Sequence, residues 1–220
     1  MKRKIITTAD GSTTIHLPEW DEHYHSKHGA IQEAYHVFIE AGLGLFSQGS
    51  LAILEIGFGT GLNALITLME AQKRNLKIAY TGVEKYPVPS VEIAQLNYLQ
   101  ELDAATYEDA FKEMHQCAWS KSTHLTPYFS LQKQHKDFME ISDEQVFNLI
   151  YFDAFGARVQ PELWTVTLFS KMFNALKPNG ILVTYAAKGS VRRAMQEVGF
   201  SVERLAGPPG KREMLRATKV

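Results

Sequence analysis

Glu55-Ile56-Gly57-Phe58-Gly59-Thr60-Gly61-Leu62-Asn63 is the stretch on which the fold turns. Before and into it runs Leu51-Ala52-Ile53-Leu54-Glu55-Ile56, nearly continuously apolar, as in a parallel strand buried on both faces. After it, Leu62–Ala71 reads as a helix. The glycines between them allow a tight turn and let the backbone approach a ligand closely. The helix behind them offers free N–H groups and the positive end of its dipole. The spacing is Gly-x-Gly-x-Gly, whereas NAD sites use Gly-x-Gly-x-x-Gly. An acid, Glu55, also lies inside the strand end.

Further strands are expected at Ile78–Val83, Phe129–Gln132, Phe147–Phe152 and Ile181–Tyr185. Helices are expected at Val88–Leu99, Leu163–Leu176 and Val191–Val198, the second stopped by Pro178-Asn179-Gly180. Alternating strands and helices imply right-handed βαβ units and a mostly parallel sheet. Val202–Leu205 and Glu213–Ala217 have no helix between them, only Gly207-Pro208-Pro209-Gly210, and are expected to close the sheet as an antiparallel pair. Upstream, Lys4–Thr8 and Thr13–Leu17 flank Asp10-Gly11, a hairpin signal. Ile31–Leu45 has apolar residues at helical spacing. Residues 1–48 therefore read as a hairpin-and-helix extension, and residues 49–220 as the α/β domain.

Open α/β sheets bind ligands at the carboxyl ends of their strands, so acids there are candidates. Glu84 ends the second strand of the domain, about 20 residues past the glycines, where an acid accepts both ribose hydroxyls in dinucleotide sites. Asp137 follows the third strand and is placed to meet an adenine amino group, with Phe138 covering the ring. Asp153 ends the fourth strand between aromatics in Tyr151-Phe152-Asp153-Ala154-Phe155-Gly156.

The 220 residues are 45% hydrophobic and 21% charged, ordinary values for a globular domain. One cysteine, Cys117, excludes an internal disulfide and the zinc sites that need two cysteines. His16, His23, His25, His28 and His36 lack a matching cysteine or carboxylate pattern and read as solvated or hydrogen-bonded, so no metal is expected. No apolar run reaches signal-peptide or membrane-span length, so a cytoplasmic protein without membrane contact is expected. The net charge of −1 hides an asymmetry: residues 188–220 carry eight Lys/Arg and three Glu, leaving the remainder at −6. A basic end on an acidic body suits a phosphate-bearing partner.

These residues together resemble the methyltransferase domain of the bacterial enzymes that complete 5-methylaminomethyl-2-thiouridine at the tRNA wobble position. The resemblance runs from Tyr24–Glu33 through the glycine loop at 57–63, Glu84-Lys85 with Pro87, Phe152-Asp153-Ala154-Phe155 and Pro161-Glu162-Leu163-Trp164. It continues through Val191-Arg192-Arg193 to Gly199-Phe200 and ends on Gly210-Lys211-Arg212-Glu213-Met214-Leu215. Two departures lie at the expected catalytic edge. Ala154 stands where several relatives have glycine, and Ala157-Arg158-Val159-Gln160 replaces a Pro-Ala-Lys-Asn-type loop.

The resemblance implies a Rossmann-like S-adenosylmethionine-dependent methyltransferase fold, closed by the C-terminal hairpin and preceded by the N-terminal one. It implies S-adenosylmethionine held by Glu55, Gly57, Phe58, Gly59, Gly61, Asn63, Glu84, Lys85, Asp137, Phe138 and Asp153. Asp153 and Tyr24 would serve the reacting amine, and Phe155 the base. Lys188, Arg192, Arg193, Lys211 and Arg212 would meet tRNA phosphates. The expected form is the stand-alone one without FAD, with a separate oxidase or upstream tRNA-modifying enzymes as partners. An aspartate near pKa 4 is a weak base for an alkylamine near 10, so Asp153 is expected to orient the amine more than deprotonate it. The competing readings are a polyamine-type or other small-molecule transferase on this fold, an NAD-dependent oxidoreductase, and a tRNA-binding module without activity.

Overall fold

The structure is a computed structural model that describes residues 2–220. It opens with strands β1 (Lys4–Thr7), β2 (Thr13–Leu17) and β3 (Glu22–His23), which form a small antiparallel sheet. The hairpin turn is held by Asp10, whose Oδ1 accepts from the Ser12 and Thr8 hydroxyls at 2.5 and 2.7 Å. Next comes α1 (Ala30–Ala34), then β4 (Ser50–Ile56), α2 (Leu62–Lys73), β5 (Lys77–Glu84), α3 (Ser90–Ile93), α4 (Tyr98–Glu101) and α5 (Glu108–Gln116). The chain continues through β6 (Ser122–Thr126), β7 (Phe129–His135), β8 (Phe147–Phe152) and α6 (Val166–Ala175). It finishes with β9 (Leu176–Thr184), α7 (Gly189–Glu197), β10 (Phe200–Ala206) and β11 (Glu213–Lys219).

The main sheet has eight strands in the order β10-β11-β9-β8-β4-β5-β7-β6. Its centre is parallel, and β11 runs antiparallel to both β9 and β10, as expected of the closing pair. The alternation of β4 explains its central place. Leu51 and Ile53 join the apolar layer with α2, while Leu54 and Ile56 join the layer with α6 and α7. The chain leaves β4 towards β5 on one side and reaches β8 on the other. The order therefore reverses at the carboxyl end of β4, which is where such sheets bind ligands.

Several elements differ from those the sequence pattern predicts. The helix expected over Ile31–Leu45 is a short α1 that widens into a π-helical segment, Tyr35–Glu40. It ends before Gly42, where a Cβ would lie 2.5 Å from the Phe38 carbonyl oxygen. The helix expected over Val88–Leu99 is two helical turns, α3 and α4, separated at Asn97. The Asn97 side chain instead binds the extension, accepting from the Thr13 N–H at 2.7 Å and donating to the Gly11 carbonyl at 2.9 Å. Helix α6 ends at Ala175, and the Pro178-Asn179-Gly180 turn lies inside β9 as a bulge. There the pairing jumps from Phe147 opposite Leu176 to Leu149 opposite Ile181. Helix α5 and strand β6 are absent from the sequence reading, because α5 buries only Phe111 and Met114 and β6 buries none of its residues fully. Among the described residues no helix is long and apolar enough to cross a membrane.

Candidate active site

A cleft of about 1540 Å³ opens at the carboxyl ends of the central strands and beneath the N-terminal extension. Its floor is the glycine loop. The N–H groups of Gly57 and Phe58 both donate to the Val83 carbonyl at 3.0 Å, pinning the loop across β4 and β5. Gly57 has φ 90°, and a Cβ on it would lie 2.7 Å from the Asp153 carbonyl oxygen. Gly59 has φ 50°, and a Cβ there would press on the Tyr24 ring at 3.2 Å. Phe58 is buried over Gly82 of β5 and holds the loop down from behind.

Glu84 stands at the end of β5 with its carboxylate on the loop. It accepts from the Gly59 N–H at 3.1 Å and from the Tyr86 N–H at 2.8 Å. Beyond the ends of β5 and β7, Lys85 and Asp137 pair at 2.7 Å, and Asp137 also accepts from the Met139 N–H. The ammonium of Lys85 holds the Asp137 carboxyl below its usual range. Phe138 is 9% exposed and forms an apolar wall beside this pair.

The ends of β4 and β8 meet at Asn63. Its Nδ2 donates to Glu55 Oε1 at 2.9 Å and to Asp153 Oδ2 at 2.8 Å, so one amide bridges two carboxyl groups. Burial pushes Glu55 well above the usual carboxylate range. Asp153 is half-buried and faces the cleft. Desolvation, reinforced by the charge of Glu33, pushes its carboxyl up to about 7. The residues that follow are fixed by their backbone: Tyr185 OH donates to the Ala154 carbonyl, and Trp164 Nε1 donates to the Phe155 carbonyl, both at 2.8 Å. Phe155 meets the edges of Tyr24 and Trp20, with ring centroids 5.1 and 5.7 Å apart.

The cleft thus gathers Tyr24, Gly57, Phe58, Gly59, Asn63, Glu84, Lys85, Asp137, Phe138, Asp153 and Phe155, while Glu55 sits just behind Asn63. Gly61 lies deeper in the loop, against His115 and Met114. The basic residues divide. Lys188 and Arg212 lie on the cleft's rim, and Arg192 and Arg193 lie on α7 outside its lining. Lys211 turns inward: its Nζ pairs with the buried Glu33 and sits 3.9 Å from the centre of the Tyr185 ring. Its ammonium is therefore engaged within the cleft, while about a third of the side chain stays exposed.

Glu33, Tyr185, Trp20 and Arg158 also line the cleft, and no local pattern in the sequence marks them as site residues. Arg158 donates to Glu22 Oε1 and to the Trp20 carbonyl at 2.8 and 2.7 Å, fastening the extension over the cleft mouth. Glu33 lies in a segment marked only by its resemblance to relatives, and Tyr185 lies just past the end of β9 and carries no charge to mark it.

Residues 95–220, more than half the chain, match the family model described as S-adenosyl-L-methionine-dependent methyltransferase. The chain belongs to that family. This methyltransferase is 31% identical over 227 residues to the tRNA 5-methylaminomethyl-2-thiouridine biosynthesis bifunctional protein MnmC of Cupriavidus necator, an alignment covering 97% of the chain and 34% of that protein. It is 28% identical to the protein of the same name from Idiomarina loihiensis, over 89% of the chain and 35% of that protein. The chain therefore spans about a third of the length of these curated relatives. Among solved structures it is similar to MNMC2 from Aquifex aeolicus, with a TM-score of 0.74 and 24% identity over 99% of the chain and 70% of that one. The spermidine synthase of Thermotoga maritima shares the fold at a TM-score of 0.60, with 13% identity over 99% of the chain and 69% of that one. The fold is accordingly the Rossmann-like methyltransferase fold, and the cofactor is S-adenosyl-L-methionine.

Proposed function

We propose that this methyltransferase methylates the primary amine of a 5-aminomethyl group on the wobble uridine of tRNA, giving the methylamino form. The observation that carries the reading is Asp153. It is a carboxyl group with a raised pKa at the cleft floor, tied through Asn63 to the glycine loop and followed by Phe155, which packs against Tyr24. The similarity to MnmC supports the substrate class, as do Lys188 and Arg212 at the rim.

The cleft fits the cofactor because Gly57 and Gly59, both at positive φ and with no room for a Cβ against the Asp153 backbone and the Tyr24 ring, keep the loop at its floor free of side chains. Glu84 would take the ribose hydroxyls, Asp137 the adenine amino group, and Phe138 the ring face, with Lys85 holding Asp137 in place. When bound, the cofactor supplies an electrophilic sulfonium methyl group. The protein's task is to present a neutral, aligned amine. Asp153 accepts a hydrogen bond from the amine and points its lone pair. With its carboxyl near 7, Asp153 is a better proton acceptor than an ordinary aspartate: the gap to an alkylamine near 10 falls from about 6 units to about 3. Tyr24 and Phe155 offer aromatic edges and faces for an extruded base.

On this reading the protein works in the cytoplasm, downstream of an enzyme that delivers the aminomethyl group, a separate oxidase being one source. The test is methyl transfer to tRNA bearing 5-aminomethyl-2-thiouridine, with nucleoside analysis of the product. The methylamino nucleoside is the expected product. Its absence, with the cofactor demonstrably bound, would refute the reading; methylation of a free polyamine in its place would favour the small-molecule transferase.

A further inference from the structure

We propose that Glu33 and Lys211 are positioning residues of the methyl-transfer site, an ion pair clamped on the Tyr185 ring that sets the charge balance around Asp153. The role in amine protonation rests on the function proposed above; the effect on Asp153 does not.

The geometry is that of a built device. Glu33 is 6% exposed and uses both oxygens: Oε2 accepts from the Ser26 N–H at 2.8 Å, and Oε1 takes the Lys211 ammonium. Lys211 leaves the loop between β10 and β11, crosses to α1, and lays its ammonium 3.9 Å from the Tyr185 ring centre. Tyr185 in turn holds the Ala154 carbonyl, one residue past Asp153. Glu33, Asp153, Tyr185 and Lys211 all line the one cleft. Glu33 is withdrawn from solvent and Lys211 is about one-third exposed, so the pair is screened less than a fully exposed one.

Polar and charged groups from several elements bear on Asp153. Asn63 on α2 donates to it, with Glu55 behind; Glu33 comes from α1, Tyr185 from the end of β9, and Lys211 from the closing hairpin. Glu33 raises its carboxyl and Lys211 lowers it. An amine held by Asp153 feels the same two charges: the cation disfavours its ammonium form, and the carboxylate favours it. Removing either partner therefore moves Asp153 and the bound amine in the same direction.

The test follows the Asp153 carboxyl by ¹³C NMR in protein labelled at aspartate side-chain carbons, titrated without tRNA. Lys211→Met should raise its midpoint, and Glu33→Gln should lower it, each by about half a pH unit or more. Lys211→Arg, which keeps the charge but alters the shape, should leave it near the wild-type value. If Lys211→Met does not fold, with Glu33 buried and unpaired, Glu33→Gln is compared with the Glu33→Gln, Lys211→Met double variant. The double variant should then titrate at the higher pH. Midpoints that do not move, or that move the same way in both single variants, would overturn the proposal. In single-turnover methylation the acid limb of the rate should shift in the same two opposite directions. A wild-type protein that fails to methylate aminomethyl-tRNA would defeat the proposed substrate, while the carboxyl titration would still decide the role of the pair.

Discussion

At the scale of single residues, the glycine loop and Asp153 respond to different measurements. Gly59 has φ 50° and a Tyr24 ring atom 3.2 Å from where a Cβ would stand. A β-branched side chain there faces backbone strain of about 1–3 kcal/mol as well as that contact. Gly59→Val should weaken S-adenosylmethionine binding at least tenfold by calorimetry while the protein remains folded; unchanged affinity would move the cofactor away from this loop. Asp153→Asn should lower the single-turnover methylation rate by roughly 100-fold, as expected for lost positioning. It should also change stability in a pH-dependent way. The Asp153 carboxyl is pushed up to about 7 in the fold and titrates near 3.9 when unfolded. Between those values the folded protein keeps a proton that the unfolded chain has released, so rising pH withdraws stability across that window. Asparagine does not titrate. Melting curves should show the variant gaining on the wild type from about pH 4 to about pH 7 and levelling off above. A constant difference across that range would mean that Asp153 is already ionised in the fold at low pH.

At the scale of elements, the N-terminal hairpin is tied to the α/β domain by a set of polar contacts at Asn97, whereas the helical segment after it is packed into the core. The Asn97 side chain holds the hairpin through Thr13 and Gly11, and the Asn97 N–H donates to Thr13 Oγ1 at 3.0 Å. Asn97→Ala leaves the Thr13 N–H and the Gly11 carbonyl without their partner, a loss of about 1–3 kcal/mol. Tyr24 follows on the same extension and borders Gly59. Hydrogen exchange in β1 and β2 should therefore rise, and cofactor affinity should fall, before the parallel sheet itself loosens. If β1, β2 and the central strands exchange together, the extension does not open as a separate unit.

At the scale of the whole molecule, the basic C-terminal stretch is less free than its charge count suggests. Lys211 pairs with Glu33, Arg204 with Glu213 and Arg216 with Glu203, while Lys219 binds the carbonyls of Phe173 and Leu176. Lys188, Arg192, Arg193 and Arg212 have no carboxylate partner among the described residues, and Lys188 and Arg212 stand at the cleft rim. Replacing Lys188 and Arg212 with alanine should flatten the salt dependence of tRNA affinity by roughly 0.7–0.9 in log–log slope for each phosphate no longer neutralised. Cofactor binding should stay intact. An unchanged slope would assign these two to solvent and leave α7 as the phosphate-facing surface.

The central strands, the glycine loop and the strand-end acids are legible in the amino-acid order alone, because each depends on local pattern. The apolar run of β4, the positive-φ turn after it and the carboxylates at Glu84, Asp137 and Asp153 occupy fixed offsets from strand ends. The amino-acid order also showed the closing hairpin, since two strands joined by a short turn without an intervening helix pair antiparallel. Polar α5 and β6 escaped it, because few of their residues are buried and their periodicity is faint. What the charges do depends on the folded arrangement. Lys211 and Glu33 are 178 positions apart, and no local pattern says that a lysine in a basic stretch will turn inward to a buried carboxylate and an aromatic face. That choice is made by desolvation and by distances across the cleft, and both exist only once α1 and the β10–β11 loop have been brought together by the fold.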